Sequence, residues 1–128
     1  MFQRFQEEGL SQSSYLIACA RTREAAIVDP RRDVDEYVSV ARDRGLSIAW
    51  TIDTHIHADF VSGARELAVL GARHVSGPGA GLLFEHHEVA HRESLRLGDV
   101  TLSFLHTPVI PPNTSRCCWT NPTRRGAC

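Results

Sequence analysis

Apolar residues occur along this chain in short runs of strand length, separated by polar turns. Residues 2–6 alternate between apolar and polar side chains, a pattern typical of an edge strand. Residues 14–20 and 25–28 are continuously apolar, and the polar turn between them favours a hairpin of buried strands. Four more segments predict strands, the last two as a hairpin around a Gly-Asp turn: residues 46–52, 73–76, 95–97 and 100–105.

Two segments between these runs have a helical period. In the first, four apolar residues recur at i, i+3, i+4 and i+7 and would form one buried face: Val34, Tyr37, Val38 and Ala41. We expect Asp33 to cap this helix, with Glu36 as its capping-box partner. We expect Ser62 to cap the second helix, which would bury Leu67 and Leu70 together with its alanines.

The order of strands, helix, strand, helix and further strands predicts an α/β domain. A length of 128 residues allows one such domain and excludes two. The net charge of -1 offers no basic surface for nucleic acid or an anionic membrane. No run approaches the roughly 18 apolar residues of a membrane span, and the N-terminus lacks the apolar segment of a signal peptide. We therefore expect a cytoplasmic protein, whose oligomeric state the sequence leaves open.

A group of metal-binding side chains with alternating spacing follows the strand predicted at 46–52. Two histidines at i and i+2 on an extended loop can converge on one cation, so His55 and His57 are candidate metal ligands. Asp59 adds either a further oxygen ligand or a carboxylate that orients one of the imidazoles. Histidine and carboxylate donors suit zinc, iron or manganese, whereas copper and iron–sulfur clusters favour thiolates, which this stretch lacks.

Residues 54–63, Thr-His-Ile-His-Ala-Asp-Phe-Val-Ser-Gly, resemble the first metal motif of the metallo-β-lactamase superfamily, and most of all its glyoxalase II and persulfide (sulfur) dioxygenase branch. Residues 14–17, 26–30 and 105–108 also match the family, so the resemblance extends from residue 1 to about residue 108. It implies the N-terminal half of an αββα sandwich, with a mixed sheet and flanking helices. It also implies a small thiol or persulfide substrate derived from glutathione.

Phe60 bears on the choice within this family. In dinuclear members such as glyoxalase II, this position is a histidine that binds a second metal, and phenylalanine cannot replace it. The resemblance therefore favours a mononuclear iron dioxygenase acting on glutathione persulfide, with Fe(II) bound by His55 and with His57 and Asp59 beside it. In the alternative, a zinc-dependent thioester hydrolase resembling glyoxalase II, His57 and Asp59 bind the metal directly.

The remaining histidines have weaker patterns. We expect His86, His87 and His91 to lie in a solvated loop, and His74 to be an ordinary strand residue. His106 matches the opening histidine of the family's His-Thr-Pro-Gly-His motif, in which the second histidine binds the metal and the first does not.

The family pattern is lost after residue 108. Ile110 stands where the next metal-binding histidine should be, and it has no lone pair to offer. Deleting one base from codons for Gly-His-Thr-Pro-Glu-His gives Val-Ile-Pro-Pro-Asn-Thr, the sequence of residues 109–114, so we hypothesise a frame-shifted tail. An intact frame on resequencing the gene would refute this. Three of the four cysteines crowd the tail, and we expect the other, Cys19, to be a small buried residue.

These features divide the chain into a partial metallo-β-lactamase-like domain, residues 1–108, and an aberrant, disordered tail, residues 109–128. The family's later ligands are also missing. A single imidazole, even with a neighbour, binds Fe(II) or Zn(II) weakly in competition with water. We therefore expect a truncated and inactive fragment, whose metal binding is weakened.

Overall fold

The computed structural model describes residues 1–6, 12–56 and 61–107, together with a strand at 115–120. None of the helices in these parts of the chain is long and apolar enough to cross a membrane. The elements follow one another as β1 (Phe2–Gln6), β2 (Ser13–Ala18), β3 (Glu24–Val28), α1 (Asp35–Asp43), β4 (Ser47–Asp53), α2 (Ala64–Val69), β5 (Arg73–Ser76), β6 (His87–Glu88), β7 (Ser94–Leu97), β8 (Val100–His106) and β9 (Ser115–Thr120).

The larger sheet has six strands in the order β1-β2-β3-β4-β5-β6. Its first three strands pair antiparallel, whereas β3, β4, β5 and β6 run parallel to one another. The helices α1 and α2 are the crossover connections that parallel neighbours require. Because β3, β4 and β5 are parallel, the residues that follow them meet at one edge of the sheet.

Both faces of this sheet are covered. On one face, Leu16 of β2 packs in a cluster with Tyr37 of α1 and Leu67 of α2. On the other face, Ile17 packs with Leu102 of a second, three-stranded antiparallel sheet, β7-β8-β9. Consecutive residues of one strand serve the two clusters because side chains alternate across a sheet. Helices, sheet and sheet therefore form three layers, which confirms the predicted α/β class.

The hairpin of β7 and β8 forms as predicted and turns at Gly98-Asp99. Gly98 has a φ of 58°, and a Cβ atom there would lie 2.8 Å from the sulfur of Cys19. Cys19 is buried, as expected of a small side chain, and its sulfur also accepts the backbone N–H of Asp99 at 3.4 Å. The hairpin is thus packed closely against the turn that precedes β3.

Helix α1 begins one residue later than predicted, at Asp35, and its N-cap residue is Val34, which offers no capping side chain. Asp33 accepts only a long hydrogen bond, 3.3 Å, from the backbone N–H of Asp35. Glu36 forms an ion pair with Arg31 instead of reaching back to the start of the helix. The predicted capping box is therefore wrong, because a guanidinium group from the preceding loop takes the carboxylate.

Helix α2 is short, and its buried face is narrower than predicted. The Ser62 hydroxyl accepts the backbone N–H of Ala64 at 3.0 Å and so stabilises the first turn. Leu67 is buried, but Leu70 is 65% exposed. The prediction for Leu70 is wrong because the helix ends at Val69, so Leu70 is its C-cap and does not continue the buried helical face.

The start of α2 is locked to the loop after β3. The backbone N–H of Gly63 donates to the carbonyl of Pro30 at 2.9 Å, and Arg31 and Ser62 form a β-bridge. A Cβ atom on Gly63 would lie 2.0 Å from the carbonyl oxygen of Arg31. Only glycine allows this approach of the two backbones.

Two strands occur where the sequence predicted irregular chain. The short strand β6 extends the larger sheet beside β5. Strand β9 pairs along all but the first residue of β8, from Thr101 opposite Thr120 to His106 opposite Ser115. The prediction of disorder is therefore wrong for residues 115–120. The outer edge of β8 offers backbone N–H and C=O groups, and these residues pair with them as a strand. The other residues of the tail lie outside the described part of the chain, and the boundary at residue 108 stays a prediction.

Candidate metal centre at the end of β4

The site lies at the carboxyl edge of two adjacent parallel strands. In the register of β3 and β4, Val28 lies opposite Ile52. Asp29 directly follows β3, and Thr54 and His55 directly follow β4. This edge is where open parallel sheets bind their ligands.

Asp29 holds the start of the loop that follows β4. Its carboxylate accepts the Thr54 backbone N–H at 2.8 Å and the Thr54 hydroxyl at 2.6 Å. Burial raises the pKa of Asp29 to about 6, against the opposing effect of these two hydrogen bonds. At neutral pH the group is therefore a carboxylate that only accepts hydrogen bonds. Its φ of 49° lies in the left-handed region, which aspartate tolerates better than most residues.

The same network selects one tautomer of His55. The Thr54 hydroxyl has a single proton and donates it to Asp29. The 2.9 Å hydrogen bond between Thr54 Oγ1 and His55 Nδ1 must then have Nδ1–H as its donor. A neutral imidazole protonated at Nδ1 carries its lone pair on Nε2, the form that binds a metal through Nε2. A carboxylate, acting through a hydroxyl, therefore prepares His55 as a ligand.

Asp53, the last residue of β4, holds the other end of the loop. Its buried carboxylate accepts the Ser62 hydroxyl at 2.6 Å and bonds to His74 Nε2 at 2.8 Å. The His74 side chain on β5 is fully buried, so water does not screen this pair. The loop between β4 and α2 is thus fastened by Asp29 at Thr54 and by Asp53 at Ser62.

A cleft of about 330 Å³ opens beside His55. Three of its charged side chains come from the neighbouring loop and from α2: Arg32, Arg65 and Glu66. Its apolar surface includes Ile56, Leu82 and Phe84. The candidate ligand therefore faces a cleft that combines both signs of charge with apolar side chains.

Of the predicted site residues, the structure places His55 at this cleft. His57 and Asp59 lie outside the described residues, as does Phe60, so their roles stay predictions. In the described ranges, no three His, Cys, Asp or Glu side chains lie close enough together to hold a metal ion. His55 fits a metal in donor type and tautomer, and a complete site needs donors from beyond those ranges.

The histidines of the polar stretch after β5 bond to their own surroundings. His87 Nε2 bonds to Glu93 at 2.6 Å, and His86 Nδ1 bonds to the carbonyl oxygen of Phe84 at 2.7 Å. His91 is exposed and accepts the backbone N–H of His106 at 3.1 Å. The stretch is solvated at His87 and His91, as predicted, although His87 belongs to β6 and His86 is half-buried.

Sequence reasoning missed the roles of Asp29 and His74. The role of Asp29 was predictable in principle. Asp29 follows β3, and the helix that connects β3 to β4 indicates that these two strands are parallel neighbours. His74 carried no such signal. Its partner Asp53 lies 21 residues earlier, and only the pairing of β4 with β5 brings them together.

No family model matches the chain. Curated proteins of similar sequence include two hydrolases. A probable hydroxyacylglutathione hydrolase of Schizosaccharomyces pombe is 30% identical over 99 residues, which are 74% of this chain and 38% of that protein. A hydroxyacylglutathione hydrolase of Polaromonas sp. is 38% identical over 93 residues, which are 68% of this chain and 32% of the relative. The chain thus spans about a third of the length of these relatives.

Solved structures that are similar over most of the chain include two with at least 25% sequence identity. A metallo-β-lactamase from Staphylococcus aureus superposes with a TM-score of 0.86 and 40% identity, over 94% of this chain and 38% of the other. The structure of ETHE1 from Myxococcus xanthus superposes with a TM-score of 0.87 and 25% identity, over 93% of this chain and 53% of the other.

Proposed function

This chain belongs to the metallo-β-lactamase superfamily, in its glyoxalase II and persulfide dioxygenase-like branch, and from that membership we propose that it carries the metal-binding edge of an enzyme for glutathione-derived sulfur compounds. Members of the superfamily bind metal ions, typically zinc or iron. The names of the two curated relatives support a glutathione-derived small molecule as the substrate.

The observation that carries the proposal is the chain of hydrogen bonds from Asp29 through Thr54 to His55. It keeps the Nε2 lone pair of His55 as the donor. His57 is the proposed second imidazole, and Asp59 either binds the metal or orients an imidazole. A bound metal supplies a Lewis acid for the substrate sulfur or carbonyl group. The protein's own contribution is to hold these donors on a loop fastened at both ends.

Phe60 favours a mononuclear iron site and hence the persulfide dioxygenase as the first candidate. Its side chain has no donor atom at the position where dinuclear members use a histidine. The second candidate is a zinc-dependent thioester hydrolase, which the names of the curated relatives favour.

We further propose that the 128-residue chain alone does not turn over substrate. The candidate ligands in this chain are His55 and His57, with Asp59 as a second-shell group or alternative ligand. Ile110 stands where the family pattern has another histidine. A metal bound by so few donors exchanges readily with water and buffer.

Replacing Thr54 tests the proposed ligand network. Thr54→Val keeps the shape of the side chain but breaks the link to His55, so metal affinity should fall about 10- to 100-fold. Thr54→Ser should retain the affinity because it keeps the hydroxyl. Zn(II) and anaerobic Fe(II) titrations measure this, and imidazole ¹⁵N shifts report the tautomer of His55.

The matched controls are two histidine variants. His55→Ala should abolish the measured binding, whereas His91→Ala, at an exposed histidine away from the cleft, should leave it unchanged. Equal metal affinity and an equal tautomer in the valine and serine variants of Thr54 would show that the network does not prepare the ligand.

Activity assays separate the candidates. Oxygen uptake on glutathione persulfide with Fe(II) reports the dioxygenase, and cleavage of a glutathione thioester with Zn(II) reports the hydrolase. We expect neither from this chain. Turnover in one assay would identify that candidate and contradict the proposed inactivity.

A further inference from the structure

We infer that a second cavity, at the edge of β5, binds an organic monocarboxylate with an apolar tail. This cavity has a volume of about 580 Å³ and shares no lining residue with the cleft beside His55. Arg73 and His74 of β5 contribute to its wall. Strand β6 pairs with Val75 and Ser76, so Arg73 lies beyond the paired part of this edge. The inference concerns a ligand other than the metal and its substrate, and it is independent of the proposed function.

Arg73 supplies the partner for the ligand carboxylate. The residue is exposed, and its guanidinium carbon lies 5.2 Å from the centre of the Trp50 ring. A cation–π contact of this kind uses the face of the guanidinium group and leaves its in-plane N–H donors for other acceptors. Within the described part of the chain, no carboxylate forms an ion pair with Arg73. Its paired N–H donors match the two oxygens of a carboxylate and are available to a ligand.

Apolar side chains supply the surface for the tail. Trp50 and Leu95 line the cavity together with Ala68, in the last turn of α2, and Ala72, just after that helix. Trp50 and Leu95 are only partly buried against the cluster between the two sheets, so part of their apolar surface meets water. A hydrocarbon chain that covers this surface removes it from water, which favours binding.

The charges around the cavity favour one carboxylate over two. Of the described residues that line it, Arg73 carries the only permanent positive charge. Glu85 also lines the cavity and would repel a second negative charge on the ligand. The imidazoles of His86 and His87 already bond to protein acceptors. A monocarboxylate therefore fits this cavity better than phosphate or a dicarboxylate.

The fluorescence of Trp50 tests the inference by reporting the binding of octanoate to the metal-free chain. Trp119→Phe removes the chain's other tryptophan, and calorimetry on the unaltered chain checks the affinity. We expect octanoate to bind, and we expect octanamide, which has the same tail but no charge, to bind at least about tenfold more weakly. Butyrate, which has four fewer methylene groups, should also bind at least about tenfold more weakly than octanoate.

Arg73→Gln separates the charged contact from the apolar one. It should weaken octanoate binding about tenfold and leave octanamide binding unchanged, because the uncharged amide makes no ion pair. Arg42→Gln is the matched control, since Arg42 is an exposed arginine on α1 that does not line the cavity. It should leave both affinities unchanged, with circular dichroism confirming that all variants fold.

Arg65→Gln tests the location of the ligand, because Arg65 also contacts an aromatic ring but lines the cleft beside His55. It should leave the octanoate affinity unchanged. No binding of octanoate, equal affinity for octanoate and octanamide, or an unchanged octanoate affinity in Arg73→Gln overturns the inference. A loss of affinity in Arg65→Gln in place of Arg73→Gln would put the ligand in the cleft beside His55 and would also overturn it.

Discussion

Asp29 combines two features that a single residue seldom carries. It is an ionisable side chain that is only 8% exposed, and its backbone is left-handed. The two hydrogen bonds from Thr54 and the bond from its own N–H to the carbonyl of Ile52 hold it in place. Asp29, which orients the candidate ligand through Thr54, is therefore a carboxylate whose burial cost is only partly offset by its hydrogen bonds.

The titration of Asp29 should appear in the pH dependence of stability. Burial raises its pKa from the ordinary 3.8 to about 6, so between these values the folded protein keeps a proton that the unfolded chain has lost. The contribution of Asp29 to the free energy of unfolding therefore falls as pH rises from about 4 to about 6, and is level above that. The fall is on the order of 3 kcal/mol.

Asp29→Asn should remove this slope, because the amide does not titrate and asparagine also tolerates a left-handed backbone. Urea unfolding at several pH values across the window measures the effect. Asp43→Asn, at an exposed carboxylate at the end of α1, is the control and should keep the slope. Parallel profiles for the Asp29 variant and the original protein would contradict the raised pKa.

At the scale of elements, Asp53 joins three pieces of the fold. It ends β4, bonds to His74 on β5 and accepts the hydroxyl of Ser62 before α2. In sequence, the metal motif lies between these contacts. One buried carboxylate therefore joins two strands and the start of α2 through hydrogen bonds.

Removing the imidazole should destabilise the fold strongly. His74→Leu leaves the Asp53 carboxylate buried with Ser62 alone, and we expect a loss of about 3 kcal/mol or more in the free energy of unfolding. The double variant, His74→Leu with Asp53→Asn, should lose less free energy of unfolding than the sum of the two single variants, because the buried charge is gone. Urea denaturation of all three proteins gives the coupling. Additive losses would mean that the two side chains do not act as a pair, and His91→Leu should cost little.

The elements also show how far local patterns reach. The strands and the hairpin at Gly98 follow from apolar runs, because alternation and turn chemistry are local. The predicted capping box at Asp33 is wrong because Arg31 competes for Glu36. The predicted burial of Leu70 is wrong because α2 ends before this residue. Strand β9 was not predicted, because it forms by pairing with the edge of β8 and residues 115–120 carry no local signal of that edge.

At the scale of the whole molecule, helices and two sheets form three layers, whereas the αββα sandwich has four. The chain covers 38% of the Staphylococcus aureus structure and 53% of the Myxococcus xanthus structure. The family resemblance assigns the position of Ile110 to another ligand of the same metal. The metal affinity should therefore depend on the side chain at position 110.

Restoring the family residues there should strengthen metal binding. Val109→Gly with Ile110→His returns an imidazole to the assigned position, and Zn(II) affinity should rise at least about tenfold by calorimetry. Val109→Gly alone is the control, since it changes the backbone without adding a donor. An unchanged affinity in the double variant would show that residue 110 does not reach the metal.

The sequence by itself determined the α/β class, the family resemblance and the position of His55 after a buried strand. These depend on residues that are neighbours in the chain, where periodicity and motif spacing carry the information. Only the tertiary structure decided how His55 is prepared and what surrounds it. Thr54 meets Asp29 across 25 residues, and Asp53 meets His74 across 21. Such contacts, and the cleft between loops, arise because parallel strands bring distant residues to one edge of a sheet, and no local pattern encodes that meeting.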